Sequence, residues 1–183
     1  MDTLLRHPKC VGVGEVGLDY HRHQRSGERQ NQQQVLVPQL HMAVKHTTHQ
    51  CLNDCLQILT NVLPKTHQIH VHSFCGDQED VTAWLSAFPK AVFGLSSTFL
   101  RVKSGSKEEK AICGLDLGKI LLESDAPYLP PPGKPGLNHP WNIASVAEKV
   151  AKLRGLTTEM VFEATRLSAC AFYNLDAHLL YTM

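Results

Sequence analysis

Leu117-Gly118-Lys119-Ile120-Leu121-Leu122-Glu123-Ser124-Asp125-Ala126-Pro127 is an apolar run that ends in two carboxylates spaced by one residue and then a proline. Leu117 to Glu123 reads as a buried strand, which Pro127 cannot continue. Two other stretches share this plan. Lys9-Cys10-Val11-Gly12-Val13-Gly14-Glu15-Val16-Gly17-Leu18-Asp19-Tyr20 reads as a buried strand running into a functional loop, and Gln68-Ile69-His70-Val71-His72-Ser73-Phe74 has strand character as well. Glu15, His72 and Asp125 each fall at or just past the C-terminal end of such a strand. In a (β/α) barrel that edge is where the active site is built.

Helical spacing fills the intervals. Glu28 to His46 carries Val35, Leu36, Leu40, Ala43 and Val44, with Pro38 kinking this helix or moving its start. A second helix spans Cys51 to Leu63. Asp77 caps a third that runs to about Phe88. Ala91 to Ser96 is a further strand, and Lys103 to Lys110 is a solvated charged segment leading into a short helix. The prolines of Pro127 to Pro140 require an extended loop. Two closing helices, about Trp141 to Leu153 and Thr157 to Tyr173, are separated by a Gly155 cap. This alternation is α/β with a parallel sheet. No repeat interrupts it, and residues 1–183 read as a single domain.

Composition narrows the class. The 183 residues are 43% hydrophobic, with 18 Lys+Arg against 17 Asp+Glu and a formal net charge of +1. A chain of this size buries roughly 70% of its unfolded surface without staples. No apolar run nears the roughly 18 residues that span a bilayer. Met1-Asp2-Thr3-Leu4-Leu5-Arg6-His7-Pro8 has neither a signal-peptide core nor a cleavage site, so an intracellular protein, nuclear or cytoplasmic and off the membrane, is expected. Near-zero net charge supplies no broad field for polyanions, which confines any nucleic-acid binding to a local site. The 6 cysteines form no C-x-x-C pair and read as reduced thiols. Cys51 and Cys55 share a helix face and read as core.

A divalent ion that activates water favours carboxylate oxygen and imidazole nitrogen converging from different strands. Glu15, His72 and Asp125 meet that description. His70 lies two residues before His72, on the same side of a strand, so the pair could grip one ion. On residue type alone, in a chain with 11 histidines, a strand-end histidine is more often a hydrogen-bonded structural residue than a ligand.

Three stretches carry a resemblance to a known family. Gly14-Glu15-Val16-Gly17-Leu18-Asp19-Tyr20, His70-Val71-His72-Ser73-Phe74-Cys75-Gly76 and Leu121-Leu122-Glu123-Ser124-Asp125-Ala126-Pro127-Tyr128-Leu129 resemble, in order, the G-E-x-G-L-D-F/Y, H-x-F-x-G and L-x-E-T/S-D-A-P-Y/F signatures of TatD-type metal-dependent deoxyribonucleases. The likeness extends over nearly all of the chain and is strongest to the animal branch that includes large nuclear TatD-domain proteins. It implies a metal-dependent-hydrolase TIM barrel acting on DNA, with two divalent ions (Mg, Mn or Zn) at the strand ends. By position it implies that Glu15 bridges or ligates the metals, that His72 ligates the second ion, and that Asp125 is a ligand that also orients the attacking water. Glu15 and Asp125 are thus the expected catalytic residues.

Around these, Glu123 either supports Asp125 from behind or forms a structural salt bridge, His70 being the other supporting candidate, and Asp19 reads as structural. His139 and Arg22 sit in overhanging loops and read as solvated, with a phosphate contact as the alternative. Tyr128, Phe74 and Trp141 read as core or loop packing, with base stacking as the alternative.

The chain also departs from the family pattern. The first strand with its H-x-H pair is missing, and so is the strand of type P-L/V-x-x-H-x-R after Gln39-Leu40, where the sequence passes from Lys45-His46-Thr47-Thr48-His49 into Cys51-Leu52. A barrel of this class needs about 250 residues. An incomplete barrel is therefore expected, with the family's two ions or fewer. Competing functions are a catalytically incompetent relative acting as a binding or regulatory module, and an amidohydrolase-like enzyme cutting a small ester or amide.

Overall fold

The computed structural model of the protein describes residues 7, 10–12, 14–20, 25–40 and 52–176. In chain order these form α1 (Ser26–Leu40), α2 (Leu52–Val62), β1 (His70–Val71), α3 (Gln78–Ala87), β2 (Val92–Leu95), α4 (Lys107–Gly114), β3 (Ile120–Leu122), α5 (Ile143–Arg154) and α6 (Thr158–Tyr173). Short 3-10 turns lie at Phe99–Arg101, Leu117–Lys119 and Pro140–Asn142.

The strands make one parallel sheet in the order β1-β2-β3, with His70 opposite Val92, Phe93 opposite Ile120 and Gly94 opposite Leu121. Both faces are buried, which explains why the strands read as continuous apolar runs. Alternation along the strands sorts the side chains. Val71, Phe93, Leu95 and Ile120 share one face, are fully buried and belong to the main hydrophobic cluster with Trp84 and Phe88 from the α3 region. His70, His72, Gly94, Glu123 and Asp125 follow the other face, where the site forms.

Local signals set the helix ends. Asp77 Oδ1 accepts from the Glu79 and Asp80 amides at 2.9 and 3.2 Å while Asp80 Oδ2 accepts from the Asp77 amide at 3.1 Å, a reciprocal cap at the start of α3. Gly155 closes α5 at φ 65°, a left-handed conformation that other residues adopt only with strain. Thr157 caps α6 through the Met160 amide.

Three expectations change. The described part of Lys9 to Tyr20 is extended but joins no strand ladder among the described residues. Gly12, Gly14 and Gly17 offer no side chains to pack, and interior glycines weaken strands. Side chains hold the segment instead: Gln32 brackets the Asp19 backbone, accepting from its N–H at 2.8 Å and donating to its C=O at 3.0 Å, and Tyr20 donates to Asp54 Oδ2 at 2.8 Å. The Lys103 to Lys110 run is not wholly solvated. Glu109 is buried, accepting from the Gly105 amide at 2.7 Å with Lys149 Nζ at 3.7 Å. Pro38 lies in the last turn of α1 rather than near its start. Arg22, Cys51 and the stretch from 41 to 50, with His46 and His49, lie outside the described residues. No helix among those described is long and apolar enough to cross a membrane.

Replacing Asp77 by Ala removes the side-chain acceptor of the α3 cap and leaves the Asp77 amide free to donate to Asp80. The expected loss is about 1 kcal/mol, measured as a lower urea midpoint at unchanged m-value.

Candidate active site

Strand alternation places His70 and His72 on one face of β1, and Glu123 and Asp125 leave the end of β3 on that face. Between them runs β2, which contributes Gly94. A Cβ at Gly94 would overlap His70 Nε2 and the Glu123 carboxylate, so the absence of a side chain lets the two outer strands meet across the middle one.

Glu123 occupies the centre of that contact. Its Oε2 lies 2.9 Å from His72 Nδ1 and 3.0 Å from His70 Nε2, and its Oε1 accepts from the Ser73 amide. The His70 pair is within ion-pair range but is not aligned as a directed hydrogen bond. Ser73 has φ 51°, a strained value for a residue with a side chain, and its amide bond to Glu123 accompanies that geometry. Burial raises the Glu123 pKa, yet the two neighbouring imidazoles outweigh it and hold the carboxyl down to about 2.

His72 turns its other nitrogen outward. Nε2 is 2.7 Å from Asp125 Oδ1 and 3.4 Å from Glu15 Oε1. Burial alone would lower its pKa. Hydrogen bonds to Asp125 and Glu123, with the charges of Glu123 and Glu15, more than reverse this and push it up to about 10. The ring is therefore an imidazolium at neutral pH, shared by three carboxylates. The hydrogen bond from His72 holds Asp125 below the usual carboxylate range against partial burial. Asp125 Oδ2 is buried without a hydrogen-bond partner among the described residues.

Behind this group, His70 Nδ1 is 2.7 Å from the Tyr173 hydroxyl at the end of α6. Burial and the Glu123 charge push the Tyr173 phenol up to about 12, so it remains a neutral O–H group. The structure thus brings together Glu15, His70, His72, Glu123 and Asp125. Phe74 is buried against Phe93 at a ring distance of 4.7 Å and takes no part. Tyr128 and Trp141 are not core, being 74% and 69% exposed. Gly94 and Tyr173 were not singled out by sequence. A glycine inside the Ala91 to Ser96 strand is a signal of close approach, whereas nothing local marks Tyr173.

The donor set, two carboxylates and one imidazole, suits a divalent cation, and the unpartnered Asp125 Oδ2 is an acceptor that a cation would satisfy. The fit is partial. No group of three or more His, Cys, Asp or Glu among the described residues is arranged to hold a metal ion, so Glu15, His72 and Asp125 must open out from their direct contacts and be joined by further ligands.

Comparison with known proteins identifies the family and the fold. The family model described as TatD related DNase matches residues 1–174. The human 3'-5' RNA nuclease TATDN2 is 29% identical over 93% of this chain, which covers 24% of that protein. The human deoxyribonuclease TATDN3 is 30% identical over 94% of this chain, which covers 63% of that protein. Among solved structures, the TATD homolog YJJV of Escherichia coli superposes with a TM-score of 0.78 at 25% identity, over 96% of this chain and 68% of that one. The fold is accordingly that of a metal-dependent-hydrolase TIM barrel, of which the chain holds a part.

Two measurements test the geometry. Gly94→Ala is expected to unfold at a clearly lower temperature than the parent, because the new methyl displaces Glu123 from both imidazoles. Stability should also depend on pH in a definite direction. The raised His72 contributes fully below 6.5 and loses its contribution as pH rises toward about 10, and the depressed Glu123 contributes fully above 4.5 and loses it as pH falls toward about 2. In chelator, the melting temperature should therefore fall between pH 6.5 and 10 in the parent, and less in His72→Gln.

Proposed function

The chain belongs to the TatD related DNase family, and we propose on that footing that it is a metal-dependent hydrolase of DNA phosphodiester bonds. The observation that supports this most strongly is the meeting of Glu15, His72 and Asp125 around one imidazole nitrogen, within 3.4 Å of it. The resident ions would be divalent, Mg, Mn or Zn. The setting would be nuclear or cytoplasmic.

Glu15, His72 and Asp125 would hold the cation, which when bound supplies Lewis-acid polarisation of the phosphodiester and acidity for a water molecule. His72 has to release its Nε2 proton to serve as a ligand, so cation binding is coupled to proton release. Its Nδ1–H remains donated to Glu123 Oε2, which fixes the ring plane. Asp125 Oδ2, buried without a hydrogen-bond partner among the described residues, would accept a hydrogen bond from the attacking water and orient it. Glu15 would stand on the side where substrate arrives, a reading supported by its side chain being 59% exposed against 15% for His72 and for Asp125.

One observation favours a second reading, a binding or regulatory module without catalysis. Among the described residues the ligands make direct contacts with one another and form no closed cation cage. Thermal unfolding with and without manganese, run beside a DNA cleavage assay, separates the two. For the hydrolase, manganese raises the melting temperature of the parent but not of Asp125→Asn, and cleavage falls about 10²-fold or more in the variant. A melting temperature indifferent to manganese, with no cleavage by the parent, would sink the hydrolase reading. Cys75→Ser is expected to cleave like the parent. Its thiol is pushed up by burial and donates to Thr98 Oγ1 at 3.4 Å, so it is no nucleophile.

A further inference from the structure

The turn that carries Asp125 runs directly into the loop of residues 127–141, with the Tyr128 amide donating to the Asp125 carbonyl at 2.7 Å. This loop holds aromatic rings in solvent. His139 and Trp141 are stacked face to face, ring centroids 4.3 Å apart and 6° from parallel, and Trp141 is 69% exposed. Tyr128 is 74% exposed. Large aromatic side chains are usually mostly covered, and here the described residues leave most of the Trp141 indole open.

The platform is anchored. Asn138, 2% exposed, donates its backbone N–H to the Pro127 carbonyl at 2.9 Å, closing the two arms of the loop on each other. Its side-chain oxygen accepts from the His139 amide at 2.8 Å and from Asn142 Nδ2 at 2.9 Å. Tyr128, next to Pro127, and His139, next to Asn138, therefore stand at the joined bases of the two arms. The charge also suits a polyanion. Between Asp125 and Glu148 the chain has no carboxylate side chain and one cation, Lys134. The exposed Arg101 reaches the same loop through its bond to the Pro130 carbonyl at 2.7 Å.

We propose that Trp141, backed by His139, forms with Tyr128 a stacking platform for unpaired bases of single-stranded nucleic acid led to Asp125. The inference rests on the phosphodiesterase reading above and assigns the side chains that would take the unpaired bases. Bases in a duplex have their faces covered and cannot use such a platform, whereas every unpaired base offers a π-face.

The test is binding in chelator, so that it does not depend on cleavage. The probes are a fluorescein-labelled oligothymidylate of about ten nucleotides, the same strand with abasic residues, and a duplex. For the parent, the oligothymidylate should bind and quench the Trp141 emission, the other tryptophan, Trp84, being fully buried. The abasic strand and the duplex should bind less tightly. Trp141→Ala should weaken oligothymidylate binding about tenfold with no further effect on the abasic strand, and Trp141→Phe, which keeps a ring, should restore most of the affinity. Equal binding of the base-bearing and abasic strands, an unaltered Kd in Trp141→Ala, or no binding by the parent would each overturn the platform. Quenching by a strand that the parent fails to cut with manganese would instead leave the platform standing and remove the hydrolase reading.

Discussion

A buried carboxylate organises this structure. Glu123 has a side chain 12% exposed and meets two imidazoles and one backbone amide, all from β1 and its end, although it directly follows β3. A charge so placed costs several kcal/mol unless it is paired, and the pairing fixes much around it. The strands must lie in the order β1-β2-β3, β2 must present a residue without a side chain at the crossing, and the register must put Gly94 there. A slip of one residue in either pairing would turn the histidines or Glu123 to the opposite face, into the apolar layer of Val71, Phe93 and Ile120. The polar contact thus acts as a register lock for three very short strands, the shortest with 2 residues.

Polarity then grades outward from that lock. Glu123 holds the inner nitrogen of His72, the outer nitrogen meets Asp125, and beyond it stands the exposed Glu15. An inner carboxylate that sets an imidazole's orientation while outer carboxylates share its free nitrogen is the arrangement by which proteins hold a metal-ligating histidine in place. It also makes His72 a strong base while no cation is present. Tyr173 extends the chain inward through His70 and ties the last helix to the first strand, across 103 residues of sequence.

Much of this was legible in sequence because it is local. Asp77, Gly155 and Thr157 mark helix ends by capping chemistry within a few residues, and α2, α3, α5 and α6 fall close to where periodicity places them. Four polar site residues, His70, His72, Glu123 and Asp125, follow from alternation along two strands and from a carboxylate-rich strand end, and Glu15 from the glycine-rich stretch before Tyr20. What local reading missed depends on distant partners. Glycines at 12, 14 and 17 looked like a compact strand, but strand formation needs a ladder, and Gln32 and Asp54 hold that segment instead. Glu109 looked solvated because its compensating Lys149 lies 40 positions on. Gly94 and Tyr173 gain their meaning only when three strands and the last helix converge.

The loop of residues 127–141 raises a different constraint, because the proposed hydrolysis of a long flexible polymer would require a bond to be positioned to within fractions of an ångström. Reactive groups alone do not achieve that; remote contacts do, by converting an encounter into a fixed geometry. The turn at Asp125 and the Asn138 bonds attach the aromatic loop to the same strand end that carries the candidate water-orienting carboxylate. A displacement of the loop is therefore transmitted to Asp125 through backbone and buried amide contacts rather than through a flexible tether. Prolines throughout this segment reduce the freedom of the unfolded loop, which lowers the entropy needed to hold rings in water. Rigidity in the 127–141 segment and charge compensation at Glu123 consequently serve one requirement, a fixed position for Asp125.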